Sequence, residues 1–212
     1  MTPTFDPDPA QSHFERLAAR FVEHRPKLAP TDQAQAAVAI VLRLQASPDV
    51  LLMQRSERAG DRWSGQVSLP GGHVDPGDRD VHACAIRETH EELGLDLETH
   101  ARPIGRLDAI QARARGGLLP MWITPIVFVQ EAPVDLVLNH EAAASFRLPF
   151  DAVLSGSLDA DFPYDRGDAT FQLPSWRFEG RTIWGLTHRI LSGLIDLTGE
   201  ELASNGEPPR LA

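Results

Sequence analysis

The sequence predicts a mixed α/β fold in which a mixed sheet lies between helices. Three observations carry this reading. Short runs rich in Val, Ile and Leu interleave with segments of helical period, the pattern of a sheet covered by helices. Clusters of Gly, Pro and Asp separate the runs and mark turns. The chain has 212 residues, enough for one core of good size and short of an obvious two-domain length.

The elements follow in order. Residues 1–9 are Pro- and Asp-rich and read as loose chain. Residues 10–24 read as a helix, because Phe14, Leu17, Ala18 and Phe21 recur at helical spacing. A linker, RPKLAPTDQ, follows, so residues 1–30 form a helix and linker belonging to the same unit as the main domain, 31–200. AAVAIVLRLQ and DVLLMQRS, split by ASP, read as two strands of a hairpin. GQVSLP is a short strand leading into Gly71 and Gly72. Residues 79–93 read as a helix that ends at Gly94, where a C-terminal stop is expected. ARPIGRLDAIQARA and MWITPIVFVQ are strands around the turn RGGLLP, and AAASFRLPF is another strand. DAVLSGSLDADFPYDRGD reads as a long loop with one short helical turn. TFQLPSWRFEG and RTIWG suggest a second hairpin. LTHRILSGLIDLTGEELA closes the domain as a helix, and residues 201–212 form a tail.

Composition narrows the function. A net charge of −10 argues against a nucleic-acid surface and means that a polyanionic substrate would be repelled without bound metal. Cys84 is the only cysteine, so no intrachain disulfide forms; it reads as a small buried hydrophobe rather than a nucleophile. No basic segment followed by an apolar run opens the chain, and no stretch has the apolar length of a membrane span. A cytoplasmic location, without membrane contact, is the default expectation.

The most informative stretch is LPGGHVDPGDRDVHACAIRETHEELGL, residues 69–95. On a helix over 79–93, Glu88, Glu91 and Glu92 share one face, with Ala83, Ile86 and Leu93 roughly opposite and able to pack inward. Asp78 and Asp80 sit where acids complement a helix N-terminus. Like charges at this spacing repel, and Arg87 offsets only part of the repulsion. A hard divalent cation is the natural missing partner, since magnesium favours oxygen ligands and often bridges carboxylates to phosphates. A solvated Glu-rich face is the alternative for RETHEE taken alone. A Gly pair that permits close backbone approach, followed by an acid-rich loop and this helix, favours the metal reading.

This stretch resembles the Nudix box, G-x5-E-x7-R-E-U-x-E-E-x-G-U with U apolar. Gly72, Arg87, Glu88, Glu91, Glu92, Gly94 and Leu95 match. Three departures stand out: Asp78 replaces the first Glu, eight residues rather than seven separate it from Arg87, and Thr89 fills an apolar position. The resemblance implies an α/β/α sandwich and a hydrolase that cleaves a diphosphate linkage in a nucleotide derivative. It implies Mg2+ or Mn2+ held by Glu88, Glu91, Glu92 and the Gly72 carbonyl, with Arg87 orienting Glu88 or Glu91. Glu88 is then the candidate general base. Some members of the family use a carboxylate from outside the box, and Glu141 in LNHEAAASF is the candidate here, with an ordinary surface residue as the alternative. Homodimers are frequent in the family, and the sequence leaves a homodimer open.

Residues 51–72, LLMQRSERAGDRWSGQVSLPGG, resemble the segment before the box in coenzyme A pyrophosphatases. Leu51, Leu52, Arg55, Ser56, Gly65, Gln66, Pro70, Gly71 and Gly72 match; Met53 replaces Thr, Leu69 replaces Phe, and one extra residue lies between Ser56 and Gly65. ITPIVF (123–128) and IWGLTHRIL (183–191) are similar to that group too. Arg55, Gln66 and Trp63 are therefore candidate substrate-binding residues. Arg55 and Arg58 suit phosphate, although exposed arginines are common. Trp63 and Trp184 suit an adenine or an ordinary rim or core position. His73, His82 and His90 read as exposed. The variation Asp61-Arg62-Trp63-Ser64 fits a sister branch with another substrate. The rival readings are a Nudix hydrolase of nucleoside triphosphates, ADP-ribose or dinucleoside polyphosphates, and a non-catalytic nucleotide-binding module.

Overall fold

The computed structural model describes residues 9–60, 63–114 and 117–203. The loose start over 1–8, Asp61 and Arg62 of the variant segment, Arg115 and Gly116 of the expected turn, and the tail from 204 lie outside the described residues.

Helix α1 (Pro9–Glu23) precedes the hairpin β1 (Ala34–Arg43) and β2 (Asp49–Arg55), which pair antiparallel with Leu42 opposite Val50. β3 (Val67–Ser68) and β4 (Gly71–His73) lead to α2 (Val81–Leu93) and the short α3 (Leu97–His100). Next come β5 (Ala101–Arg106), β6 (Ile110–Ala114), β7 (Gly117–Gln130), β8 (Ala142–Pro149) and α4 (Phe150–Leu154). β9 (Asp159–Arg166), β10 (Ala169–Phe178), β11 (Arg181–Trp184) and α5 (Gly185–Leu202) complete the order.

Among the described residues, eight strands form one sheet with the path β3-β2-β1-β7-β5; β4 also pairs with β1, β6 with β7 and β8 with β2. The β1–β7 pair is parallel and the other pairs are antiparallel, so the sheet is mixed. Its two faces feed two cores. Along β1, Ala36, Ile40 and Leu42 pack into one core, and Ala37, Ala39 and Val41 into the other. This is why the strand reads as an unbroken apolar run: side chains alternate between faces, and both faces are covered. Leu17 and Phe21 of α1 share the first core with Leu191 and Leu194 of α5 and with Trp176 and Ile183 of a second, three-stranded sheet ordered β11-β10-β9. Cys84, Ala85 and Leu93 of α2 share the other core with Leu97 of α3. The α/β/α sandwich is thus the observed architecture.

The differences from the sequence reading have local causes. The helix of the acidic stretch begins at Val81 rather than 79. Its N-cap is Asp80, whose Oδ1 accepts the Ala83 N–H at 2.9 Å. Its inward face is rotated: Cys84, Ala85, Thr89 and Leu93 are buried, Ile86 packs at the margin and Ala83 is half-exposed. Small residues at 84 and 85 let the helix lie close to the sheet. Thr89 tolerates burial at an apolar position because its hydroxyl donates to the Ala85 carbonyl at 2.7 Å. The expected single strand over 101–114 is two. The break at Leu107–Ala109 is set by partners distant in sequence: Leu107 N–H donates to Pro125 O, Ala109 N–H to Lys27 O, and Asp108 Oδ1 accepts the Lys27 N–H. α3 went unread because one turn carries no periodicity; Asp96 caps it by accepting from Glu98 N–H and Thr99 N–H. The expected long loop contains α4 and β9. β9 holds Pro163 and three aspartates yet pairs with β10 from Asp159 opposite Trp176 to Arg166 opposite Ala169. It is an edge strand, where proline and charge are tolerated.

Candidate active site

The acidic stretch is built around two glycines and one arginine. β4 runs antiparallel to β1, with Gly71 opposite Val38 and Gly72 opposite Ala37. A side chain at Gly71, whose φ is +150°, would meet the Ala37 carbonyl at 2.2 Å. A side chain at Gly72 would meet Glu88 Oε1 at 2.3 Å. The Gly pair therefore lets β4 lie against the sheet on one side and the Glu88 carboxylate on the other. Gly71 N–H donates to Glu92 Oε2 at 2.9 Å.

Arg87 Nε and Nη2 each donate to one Asp78 oxygen at 2.9 Å; Nη1 donates to Glu88 Oε1 at 2.9 Å and to Glu91 Oε2 at 3.2 Å, and Nη2 also to the His73 carbonyl at 3.1 Å. The expectation that Asp78 complements the helix terminus is corrected, since Asp80 does that and Asp78 holds Arg87 instead. The two departures around Asp78 offset each other. Asp78 closes the turn before the extra residue, with its N–H on Asp75 O (2.9 Å) and its Oδ2 accepting the Asp75 N–H (2.8 Å), and the shorter carboxylate still reaches the guanidinium. Arg87 holds the Asp78 carboxyl down to about 2. Being depressed below its unfolded value, Asp78 contributes stability that is present above roughly pH 4 and lost as the pH falls through about 2. Asp78→Asn should flatten the acid limb of a melting-temperature profile between pH 5 and 2. A profile parallel to the wild type would show that Asp78 does not hold Arg87.

The three glutamates, expected on one face, are not equivalent, and the buried Glu92 does not fit the alternative of a solvated Glu-rich face. Glu91 has a 53% exposed side chain, whereas Glu92 is only 2% exposed. Among the described residues no three carboxylates already form a metal cage, because Arg87 draws Glu88 and Glu91 together while Glu92 turns toward Gly71. Burial pushes the Glu88 carboxyl above its usual range, with Glu91 and Glu141 adding to the shift and Arg87 opposing it. Burial also pushes Glu92 up to about 7, with Glu88 and Glu141 adding and the Gly71 N–H and Arg55 opposing.

Glu141, the candidate from outside the box, is brought to this cluster by the segment between β7 and β8. After β7, Val137 N–H donates to Leu93 O (2.9 Å) and Asn139 N–H to Glu92 O (3.0 Å), so the chain folds back along the end of α2. Asn139 Oδ1 then accepts the Glu141 N–H at 2.7 Å, and Ser56 N–H donates to Glu141 O at 2.7 Å. The Glu141 side chain, 35% exposed, meets Arg58 Nη1 at 3.3 Å. A sequence signal did exist: a Glu at the start of a strand two residues after an Asn that can cap the turn.

Arg55 lies close enough to lower Glu92, and its N–H donates to Gln66 O at 2.9 Å. Gln66 N–H in turn donates to Trp63 O at 3.1 Å. Trp63 is exposed at 37%. Trp184 is a packing aromatic, stacked on Phe162 with ring centroids 4.0 Å apart. Burial pushes the Cys84 thiol up to about 12, which fits an inert core residue. His73 and His90 are exposed, and the half-buried His82 ring packs on Phe128.

A family model described as the NUDIX domain matches residues 33–166, more than half of the chain. The chain belongs to the Nudix family. It is a hydrolase of diphosphate linkages, of a family that acts on small nucleotide substrates with divalent metal ions. It is 33% identical over 167 residues to an uncharacterized Nudix hydrolase, NudL, of Citrobacter koseri (77% of this chain, 82% of the relative). It is 31% identical over 185 residues to a mitochondrial coenzyme A diphosphatase of Mus musculus (84% and 83%). Among solved structures, a C. elegans Ap4A hydrolase complex is 25% identical with a TM-score of 0.47, covering 57% of this chain and 83% of that one. No described helix of this Nudix protein is long and apolar enough to cross a membrane.

Proposed function

We propose that this Nudix enzyme hydrolyses the diphosphate of coenzyme A or a coenzyme A derivative. The observation that carries the reading is the place of residues 51–72 in the fold. This segment resembles the coenzyme A pyrophosphatase group, and it forms a wall of the carboxylate cluster: Arg55 acts on Glu92, Ser56 is bonded to Glu141, and Gly71 to Glu92. The similarity to a relative named a coenzyme A diphosphatase supports it.

The site suits a hard dication. Its donors are oxygens, and at buried Glu92 repulsion from Glu88 and Glu141 adds to the cost of burial. Glu88 and Glu92, with Glu91 at the margin, are the residues that would hold Mg2+ or Mn2+, together with the Gly72 carbonyl, which here accepts the Cys84 thiol at 3.5 Å. When bound, the ion supplies charge neutralisation for the diphosphate and acidifies water. Arg87 keeps Glu88 in place. Arg55, close enough to act on Glu92, is the residue we assign to a substrate phosphate, with Gln66 and the exposed Trp63, joined to it by main-chain bonds, assigned to the rest of the substrate. Of the two base candidates we take Glu141: Glu88 is needed as a ligand, while Glu141 is outside the helix and its side chain is 35% exposed. Water attacks one phosphorus in line with the bridging oxygen. A P–O bond to water forms, the bond to the bridging oxygen breaks, Glu141 takes the water proton, and the second phosphate leaves with the bonding pair.

A substrate panel tests this. Coenzyme A, a nucleoside triphosphate, ADP-ribose and a dinucleoside polyphosphate are assayed with Mg2+ and with Mn2+. Coenzyme A should give the highest kcat/KM; preference for another member moves the enzyme to that group, and binding without turnover of any would make it a sensor module. Chelator should abolish turnover. Mg2+ at a hundredfold excess over its Kd should stabilise the protein by roughly 2.7 kcal/mol, because the cluster exists only in the native state. Full turnover in excess chelator would end the metal assignment.

A further inference from the structure

We infer that Arg58 is a positioning residue that acts through Glu141. The inference rests on the reading of Glu141 as the base outside the box. Three features carry it. The Glu141 main chain is fixed on both sides, by Asn139 Oδ1 at its N–H and by Ser56 N–H at its carbonyl, so only side-chain rotation remains free. Glu88 and Glu92 each interact repulsively with the Glu141 carboxylate, a force that pushes it away from the cluster. Arg58 Nη1, 3.3 Å from Glu141 Oε1, supplies the opposing pull. His140, at 3.8 Å and with a 79% exposed side chain, is the weaker partner.

Arg58 is itself held. Its N–H donates to Ser64 Oγ at 2.9 Å, and the segment that carries it is closed by the Arg55–Gln66 main-chain bond. A guanidinium fixed at its root can define the direction of a carboxylate, where a loose surface cation could not. The pair is about one-third exposed on each side, so its worth to stability is small. Its worth to catalysis lies in orientation, where a displacement of about 1 Å can cost up to about a hundredfold in rate. Arg58 is also the natural candidate for a direct phosphate contact, and the experiment separates the two roles.

Wild type, Glu141→Gln, Arg58→Gln, Arg58→Lys and the double variant E141Q/R58Q are assayed on the best diphosphate of the substrate panel. Glu141→Gln should lower kcat about a hundredfold, as for loss of a general base. Arg58→Gln should lower kcat about tenfold with KM close to wild type, and Arg58→Lys should recover part of it. In the Glu141→Gln background, Arg58→Gln should have no further effect, because both changes disable one unit. Melting temperatures should stay at the wild-type value. A raised KM with unchanged kcat for Arg58→Gln would make Arg58 a substrate contact and overturn the inference. Equal losses with and without Glu141 would also overturn it. A wild-type kcat in Glu141→Gln would sink the reading of Glu141 and the inference together, whereas a slow Glu141→Gln beside a fully active Arg58→Gln would sink the inference alone.

Discussion

Glu92→Gln should lower the hydrolysis rate by at least about a hundredfold while leaving the metal-free protein as stable as the wild type or slightly more so. The magnitude follows from the site: partners outside the first ring of metal ligands already cost about 10–100-fold when lost, and Glu92 is proposed as a ligand. The stability half follows from burial. Glu92 is only 2% exposed, beside Glu88 and within reach of the Glu141 charge, and its carboxyl is pushed up to about 7. Its charged form is therefore disfavoured in the fold. Gln keeps the acceptor for the Gly71 N–H, removes a repulsive charge worth about 0.2–0.5 kcal/mol per like neighbour, and presents its amide N–H to a negative field. Rates at saturating Mg2+ and melting curves with and without Mg2+ measure both halves. A large loss of metal-free stability would make Glu92 a structural residue; an unchanged rate would remove it from the site.

Asp49→Asn should destabilise the protein by about 3–5 kcal/mol without impairing the activity of the molecules that remain folded. Asp49 is the shared partner of two arginines. Arg43 Nε donates to both its oxygens, at 3.0 and 3.2 Å, and Arg147 Nη1 donates to Oδ1 at 3.2 Å. Arg147 also donates to the Val41 carbonyl and to Gln130, tying β8 to β1 and β7. The Asp49 side chain is 10% exposed and that of Arg147 18%. Burial holds the Arg147 guanidinium down to about 10, with Asp49 opposing. Removing the one carboxylate leaves two partly buried cations without compensation. For a chain of this length, such a loss lowers the melting temperature by roughly 6–20 °C. Asp49 lies six residues from Arg55 along β2, roughly 20 Å away, which is why kcat should be spared. A melting temperature within about 2 °C of wild type would show that the network contributes little.

Much of the fold was legible because its signals are local. β1 and β2 announced themselves as apolar runs split by a turn, and α2 by Asp80 before it and Gly94 after it. The Gly71–Gly72 pair marked a close approach that the fold uses on both sides, against Ala37 and Glu88. β9 was not legible: its proline and three aspartates argue for a loop, and only eight cross-strand partners on β10 make it a strand. The division of residues 101–114 into two strands likewise rests on bonds to Lys27 and Pro125.

For the site, the sequence by itself determined the type of chemistry, because residues 72 and 87–95 lie on one turn and one helix, where spacing in the chain is spacing in space. It named Glu88, Glu91, Glu92 and Arg87 for that reason. The tertiary structure alone decided how these groups differ. The rotation of α2 against the sheet buries Glu92 and exposes Glu91, and periodicity does not fix that rotation to better than one residue. It alone brought Asp78 to Arg87, since one extra residue between them changes reach in a way that counting along the chain does not show. It alone set Glu141 and Arg58 together, 83 residues apart in sequence, because their meeting depends on how the chain after β7 folds back along the end of α2 and onto β2.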